Sequence, residues 1–250
     1  MEWNAEKYSE TCGRVTEHGV KLIEILKDIE CNRVLDLGCG TGILTNEISK
    51  FVHEVIGVDL SSNMIEKAKE TFPNLKFTVM DACALPWENF FDIVFSNAVF
   101  HFIQSQDILL KNIHKVLTKN GMLVCEFGAS GNIDNLLYAI AQACQKRRKI
   151  YSLRFFYPTV EEYKDLLEKN MFSIDLIKTY NLDTQLKGGE LGLRNWINQI
   201  FDVEMKWFNN IEREDVLNEI ESDLRLTQWD GLNWHLNNRR IKVIAKKRQI

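Results

Sequence analysis

Between residues 32 and 127, short β-branched or apolar runs alternate with amphipathic segments, and this alternation restricts the fold more than any other feature. The runs NRVLDL, EVIGVDL, LKFTVMDA, FDIVFSNA and GMLVCEFG read as strands. Between them TGILTNEISKFV, SSNMIEKAKETF and IQSQDILLKNIHKVLT read as helices. Strand and helix in strict turn imply βαβ units and a parallel sheet. Ser61 and Ser62 are placed to cap the second of these helices, with Glu66 in its early turns, and Gly121 is expected to stop the helix that ends HKVLTKN.

Outside this core, TEHGVKLIEILKDI is an amphipathic helix, and NIDNLLYAIAQACQKRRKIY is helical. Pro158 and Thr159 open a helix at TVEEYKDLLEKN, FSIDLIKTYNL is a strand, Gly188 to Asp223 is again helical, and RRIKVIAKKR is a final strand. The last two strands are expected to pair antiparallel at one sheet edge, with the intervening helices as a lid over the carboxyl edge. The predicted architecture is a Rossmann-like α/β fold: a seven-stranded, mostly parallel sheet with helices on both faces and the last strand antiparallel. One domain, 1–250, is expected, with a helical cap over 1–29, a ligand-binding core over 30–128, and lid segments plus the final strands over 129–250.

With 250 residues, 45% of them apolar and 26% charged, the chain can bury a sizeable core, and it has neither low-complexity tracts nor a repeat period. A net charge of -4 and a pI near 5.8 argue against a general affinity for phosphate backbones or anionic membranes. The basic segments QKRRK and AKKRQ lack interleaved aromatics and read as solvated helix and strand ends, not as a nucleic-acid surface. No apolar run approaches the ~18 residues that span a bilayer, and no leader pattern opens the chain, so a cytoplasmic location is expected. The cysteines at 12, 31, 39, 83, 125 and 144 form no C-x-x-C pair and the histidines show no ligand spacing, so neither a metal nor a disulfide framework is expected.

The turn DLGCGTG, Asp36 to Gly42, joins the first strand to its helix and lies where open α/β sheets bind ligands. A dinucleotide fingerprint requires G-x-G-x-x-G, but the glycines are Gly38, Gly40 and Gly42, and Ile43 stands where the third should be. Asp36 would repel a pyrophosphate and attract an ammonium or sulfonium by roughly 1–4 kcal/mol at 4 Å. A cationic nucleoside suits the loop better than a dinucleotide. Asp59 ends the second strand and is suited to accept both ribose hydroxyls. Leu60 and Met64 would flank a base, Asp81 and Ala82 end the third strand, and Asn97 and Ala98 end the fourth.

VLDLGCGTG resembles the first motif of the class I S-adenosylmethionine-dependent methyltransferases. The resemblance runs through Asp59, Asp81 and FDIVFSNAVFHFI to LLKNIHKVLTKNGMLV. It implies S-adenosylmethionine as cofactor, without metal, held by Asp36, Gly38, Cys39, Gly40, Thr41, Gly42, Asp59, Leu60, Met64, Asp81, Ala82, Asn97 and Ala98. The ends of the chain are similar to the trans-aconitate methyltransferase branch, which esterifies small carboxylic acids. EWNAEKY, with Tyr8, and then Arg14 match its start, and TVEEYKDLLEKNMFSIDLIKTY, NWI and RRIKVIAKK match its end. IFDVEMKWF and TQWDGLNWHLNNRR depart from that branch in segments expected to shape the acceptor pocket.

A carboxylate acceptor is already anionic, so positioning counts for more than acid–base help. Candidate clamps are Arg154, Tyr157, Arg194, Trp196, Arg239 and Arg240, with Trp3 and Tyr8 closing over the methionine end. Two roles are open for His101: general base for a hydroxyl acceptor, or packing beside the adenosyl group. The partner expected is therefore a small-molecule acceptor, and neither nucleic acid nor membrane; a non-catalytic S-adenosylmethionine-binding protein is the alternative from another class.

Overall fold

The computed structural model describes residues 13–249, with side chains from His18 onward. Helix α1 (Gly13–Lys27) leads into β1 (Arg33–Leu37), α2 (Ile43–Ser49), β2 (Glu54–Asp59), α3 (Ser62–Thr71), β3 (Lys76–Val79) and β4 (Phe91–Asn97). A 3-10 turn at Phe100–Phe102 is followed by α4 (Gln106–Val116), β5 (Leu117–Gly128), α5 (Asp134–Lys146), α6 (Val160–Lys169) and β6 (Phe172–Gln185). Helices α7 (Gly192–Ile200), α8 (Asp202–Met205) and α9 (Asn210–Gln228) precede β7 (His235–Lys247). The strands form one seven-stranded sheet in the order β3-β2-β1-β4-β5-β7-β6. β7 runs antiparallel to both neighbours, wedged between β5 and β6, and the other pairs are parallel.

Strand periodicity divides the core. Leu35 and Leu37 of β1 face a cluster with Leu109, Ile113 and Leu167, while Val34 faces the opposite layer of Leu22, Leu26 and Ile48. A third cluster joins α5, α7 and α9 to the start of β7 through Ile140, Ile197, Ile220 and Leu236. Ion pairs from Lys146 and Arg147 to Glu219 tie α5 to α9 at its surface.

The expected caps are present at two helices. Ser61 accepts from Met64 N at the start of α3, and Thr159 with Glu162 forms a capping box at α6. The expected stop at Gly121 is corrected: α4 ends at Val116, five residues earlier, and Gly121 lies within β5. The reason is tertiary. Asn89 N and Phe90 N donate to the last helical carbonyls, Lys115 O and Val116 O, and Leu117 already pairs with Phe91.

Candidate active site

Sheet order reverses between β1 and β4, and a cleft of about 180 Å3 opens there at the carboxyl ends of β1 to β4. Gly38, Gly40, Asp59, Leu60, Met64, Asp81, Ala82, Asn97 and Ala98 all line it, joined by Leu37, Val58, Met80, Val99, Phe102 and Ile103. The strand ends place most of these residues: Leu37, Gly38, Val58, Asp59, Asn97 and Ala98 end or directly follow β1, β2 and β4, whose preceding residues are largely buried, and Met80 to Ala82 follow β3.

The glycines divide into different roles. A Cβ on Gly40, at φ +54, would meet nothing within 4 Å, so its bare face is open. Its N–H donates to Asp59 Oδ2 at 2.9 Å, and Asp59 Oδ1 accepts from Ser61 N at 2.8 Å. The carboxylate has further lone-pair directions for a ligand's hydroxyls. Gly38, at φ +79, is required by packing instead, since a Cβ there would lie 2.2 Å from a methyl of Val99. Gly42 faces away, toward Phe77.

Three other loop residues lie off this lining. Cys39, Thr41 and Gly42 do not line the cleft; Cys39 is buried with Ile65, Ala68 and Phe77 under the turn. Asp36 does not line it either. It shares the parity of Val34, so its side chain points beneath α2, where it is 2% exposed and accepts from Thr45 Oγ1 at 2.6 Å. Burial pushes its carboxyl up to about 7, the Thr45 bond opposes this, and the nearby Asp59 charge adds to it. An acid under the loop is thus partly neutral, not a direct ion-pair partner for a ligand. Tyr8 and Trp3 lie outside the described residues, as does the side chain of Arg14.

A second cavity, of about 70 Å3, adjoins the first, with Ala98 and Phe102 lining both. That is room for several water-sized groups. His101, Tyr157, Trp196 and Arg240 line it, with Asn132, Ile133, Phe155, Thr184, Ile200, Leu236 and Asn238. Ala98 is held in the left-handed region at φ 61, by a bond from its N–H to Glu126 O, so the two cavities meet at a strained residue. Arg240 pairs in register with Gly128, whose missing side chain leaves room for the Tyr157 ring; a Cβ there would sit 2.5 Å from it. Burial pushes the Tyr157 phenol up to about 12.

Other candidate clamps are engaged elsewhere. Arg154 is an ion-pair partner of the buried Glu204, at 2.8 Å, bonds Ile200 O, and stacks over Phe155, so it braces the segment before α6 against α7 and α8 and does not line the cavity. Arg194 is bound to Glu214 and Glu221 on α9, and Arg239 is exposed with a bond to Thr179. His101 is buried, its Nδ1 accepting from Gly128 N at 3.3 Å. Burial, followed by the Arg240 charge, holds its pKa well below the usual imidazole range.

Sequence reasoning missed the polar lining of the second cavity. Asn132, Thr184 and Asn238 come from three separate segments, and no local spacing connects them. Gly128 was the available signal, being a glycine at the end of a strand run.

The two cavities have opposite chemistry. Among the described residues, the first is lined by two acids and no base, and the second by an arginine and no acid. An acidic cleft with a bare glycine, a bidentate acceptor and the apolar walls of Val58, Met64 and Met80 fits a cationic nucleoside and does not fit a pyrophosphate. A family described as a methyltransferase domain matches residues 35–125. An uncharacterized methyltransferase of Schizosaccharomyces pombe is 30% identical, with 98% of each chain covered. A malonyl-[acyl-carrier protein] O-methyltransferase of Hamiltonella defensa is 29% identical over 57% of this chain and 54% of its own. Among solved structures, Haemonchus contortus phosphoethanolamine N-methyltransferase 2, in complex with S-adenosyl-L-methionine, superposes with a TM-score of 0.60 at 22% identity, covering 93% of this chain and 53% of that one. The chain belongs to the S-adenosylmethionine-dependent methyltransferase family. It is an enzyme of that class, with S-adenosylmethionine as its cofactor. No group of His, Cys, Asp and Glu able to hold a metal occurs among the described residues. No helix among them is long and apolar enough to cross a membrane.

Proposed function

We propose that this enzyme methylates a carboxylate oxygen of a small organic acid, bound in the second cavity by Arg240. One observation carries the reading. Among the described residues, Arg240 lines that cavity with no ion-pair partner, and no acid lines it. A guanidinium left without a carboxylate in a partly enclosed, largely apolar site is matched by an anionic ligand, whereas an ammonium acceptor would meet like charge. Tyr157, Asn132 and Asn238 add polar groups around the same space. The resemblance of the chain ends to the trans-aconitate branch, and the relative named as an O-methyltransferase, support oxygen as the accepting atom.

In this reading Gly40 and Asp59 hold the cofactor's ribose side, Leu60, Met64, Asp81 and Ala82 surround its base, and Asn97 and Ala98 lie toward the methyl. When bound, S-adenosylmethionine supplies an electrophilic methyl group on a sulfonium. A carboxylate arrives ionised, so no proton has to be removed, and the chain's task is to align one oxygen across the Ala98–Phe102 boundary and exclude water. Orientation of this kind contributes up to about 7–11 kcal/mol.

The test is transfer of labelled methyl to a panel of small mono-, di- and tricarboxylates, followed by base treatment. Label released as volatile methanol marks an ester and supports the reading. Label retained in a base-stable product of a phenol, thiol or amine contradicts it and leaves the cofactor assignment intact.

A further inference from the structure

His101 has been left with two roles open, and its bonding excludes one of them, that of general base. We propose that His101 is an orienting hydrogen-bond donor that presents Nε2–H to the acceptor's carboxylate, and that the enzyme contains no general base at this position. The inference rests on the carboxylate reading of the second cavity. Its geometric basis is the bond from Gly128 N–H to Nδ1. A ring nitrogen that accepts a bond spends its lone pair on it, so in neutral imidazole the proton resides on Nε2. A base at this position would need a free lone pair, and the backbone of β5 has taken it.

The surroundings keep the ring neutral. His101 follows β4 in the 3-10 turn and is enclosed by Phe102, with ring centroids 4.2 Å apart, and by Phe155 and Tyr157 from the segment before α6. From β7, Arg240 contributes the positive charge that faces it, and no carboxylate lines the cavity to favour an imidazolium. The phenol of Tyr157 stays protonated at neutral pH. The carbonyl of His101 accepts from Phe156 N at 2.8 Å, which ties the main chain of its turn to the segment before α6. The lining therefore offers an anion one cation, Arg240, and the Nε2–H of His101 among its neutral donors. Two oxygens of one carboxylate are the smallest group that satisfies both.

The consequence is selectivity for acceptors that reach the site already ionised. Hydroxyls that need deprotonation, such as aliphatic alcohols, are excluded by the absence of a base and not by size.

Two measurements test this on the full-length protein. Long-range 1H–15N spectra, assigned with His101→Gln, read the tautomer without any substrate. The expected result is a pyridine-type Nδ1 and a pyrrole-type Nε2, unchanged from about pH 5 to pH 8. A pyrrole-type Nδ1, or an imidazolium forming in that range, overturns the inference and leaves the carboxylate reading standing. Kinetics with the best carboxylate of the panel form the second arm. His101→Gln retains an amide N–H near the Nε2 position and is expected to keep kcat/KM within a few-fold, whereas His101→Ala loses about 10- to 100-fold, the loss expected for a hydrogen bond to a charged group. Both variants are expected to bind S-adenosylhomocysteine as the wild type does, which verifies that they fold. Equal loss in both variants, or an acid limb of kcat/KM that disappears with His101→Gln, overturns the donor role. Absence of ester formation with every carboxylate overturns the carboxylate reading and this inference with it.

Discussion

The acidic cleft and the second cavity share Ala98 and Phe102 but are assembled in different ways. The cleft is drawn from a contiguous stretch between Leu37 and Ile103, and each of its residues ends or follows a parallel strand. The cavity collects residues from Ala98 to Arg240, across the turn after β4, the segment before α6, α7 and two antiparallel strands. One is acidic and larger, the other basic and small. The first site is thus built by local sheet geometry, and the second by long-range packing of separate segments.

If that division holds, each site can be broken without the other. The largest effect is expected from Gly40→Val. Its side chain would fill the open face of the turn, so S-adenosylhomocysteine binding should be lost by calorimetric titration. Unfolding should still be cooperative, with stability reduced by roughly 1–2 kcal/mol for a branched residue at φ +54.

Asp36→Asn sharpens the contrast within the cleft itself, since Asp36 lies under the loop and not in it. Its folded pKa, near 7, is raised above the ordinary value of 3.8. A raised carboxyl stabilises the fold fully below the unfolded value and loses that contribution as pH climbs through the folded one. Wild-type stability relative to Asp36→Asn should therefore be level below about pH 4, decline by about 1.4 kcal/mol per unit toward pH 7, and level off above. Denaturant unfolding across that range reads it directly, and a pH-independent difference would place the acid in contact with solvent or cation.

The sheet and the cleft were legible because strand period and strand-to-helix turns are local. Asp59, Met64 and Asn97 could be placed by counting from strand ends, and the final strand by the apolar pattern of RRIKVIAKKR. Asp36 was misplaced for a reason of parity: alternate residues of β1 face opposite layers, and Asp36 shares the layer of Val34. Arginines of the second half were legible only as a set. Composition does not reveal that Arg154 is spent on Glu204 and Arg194 on Glu221 while Arg240 is left facing a cavity. That partition depends on which helix packs where, and α8 and α9 supply the acids that decide it.

A small effect is expected at Arg194. Its bonds to Glu214 and Glu221 join α7 to α9 at a partly exposed surface, so Arg194→Ala should lower stability by about 1 kcal/mol and leave methyl transfer unchanged. Thermal unfolding beside the transfer assay checks both halves. A loss of turnover in a folded Arg194→Ala protein would extend the acceptor site to α9.

The measurement that tests the account most directly is Arg240→Met, read by two numbers on one preparation: the affinity for S-adenosylhomocysteine and kcat/KM for the carboxylate that the wild type esterifies. The account predicts an unchanged affinity and a fall in kcat/KM of about 100-fold, the scale of losing a charged, bidentate partner. Unchanged turnover, or a parallel loss of cofactor affinity, would contradict a separate anion site in the second cavity.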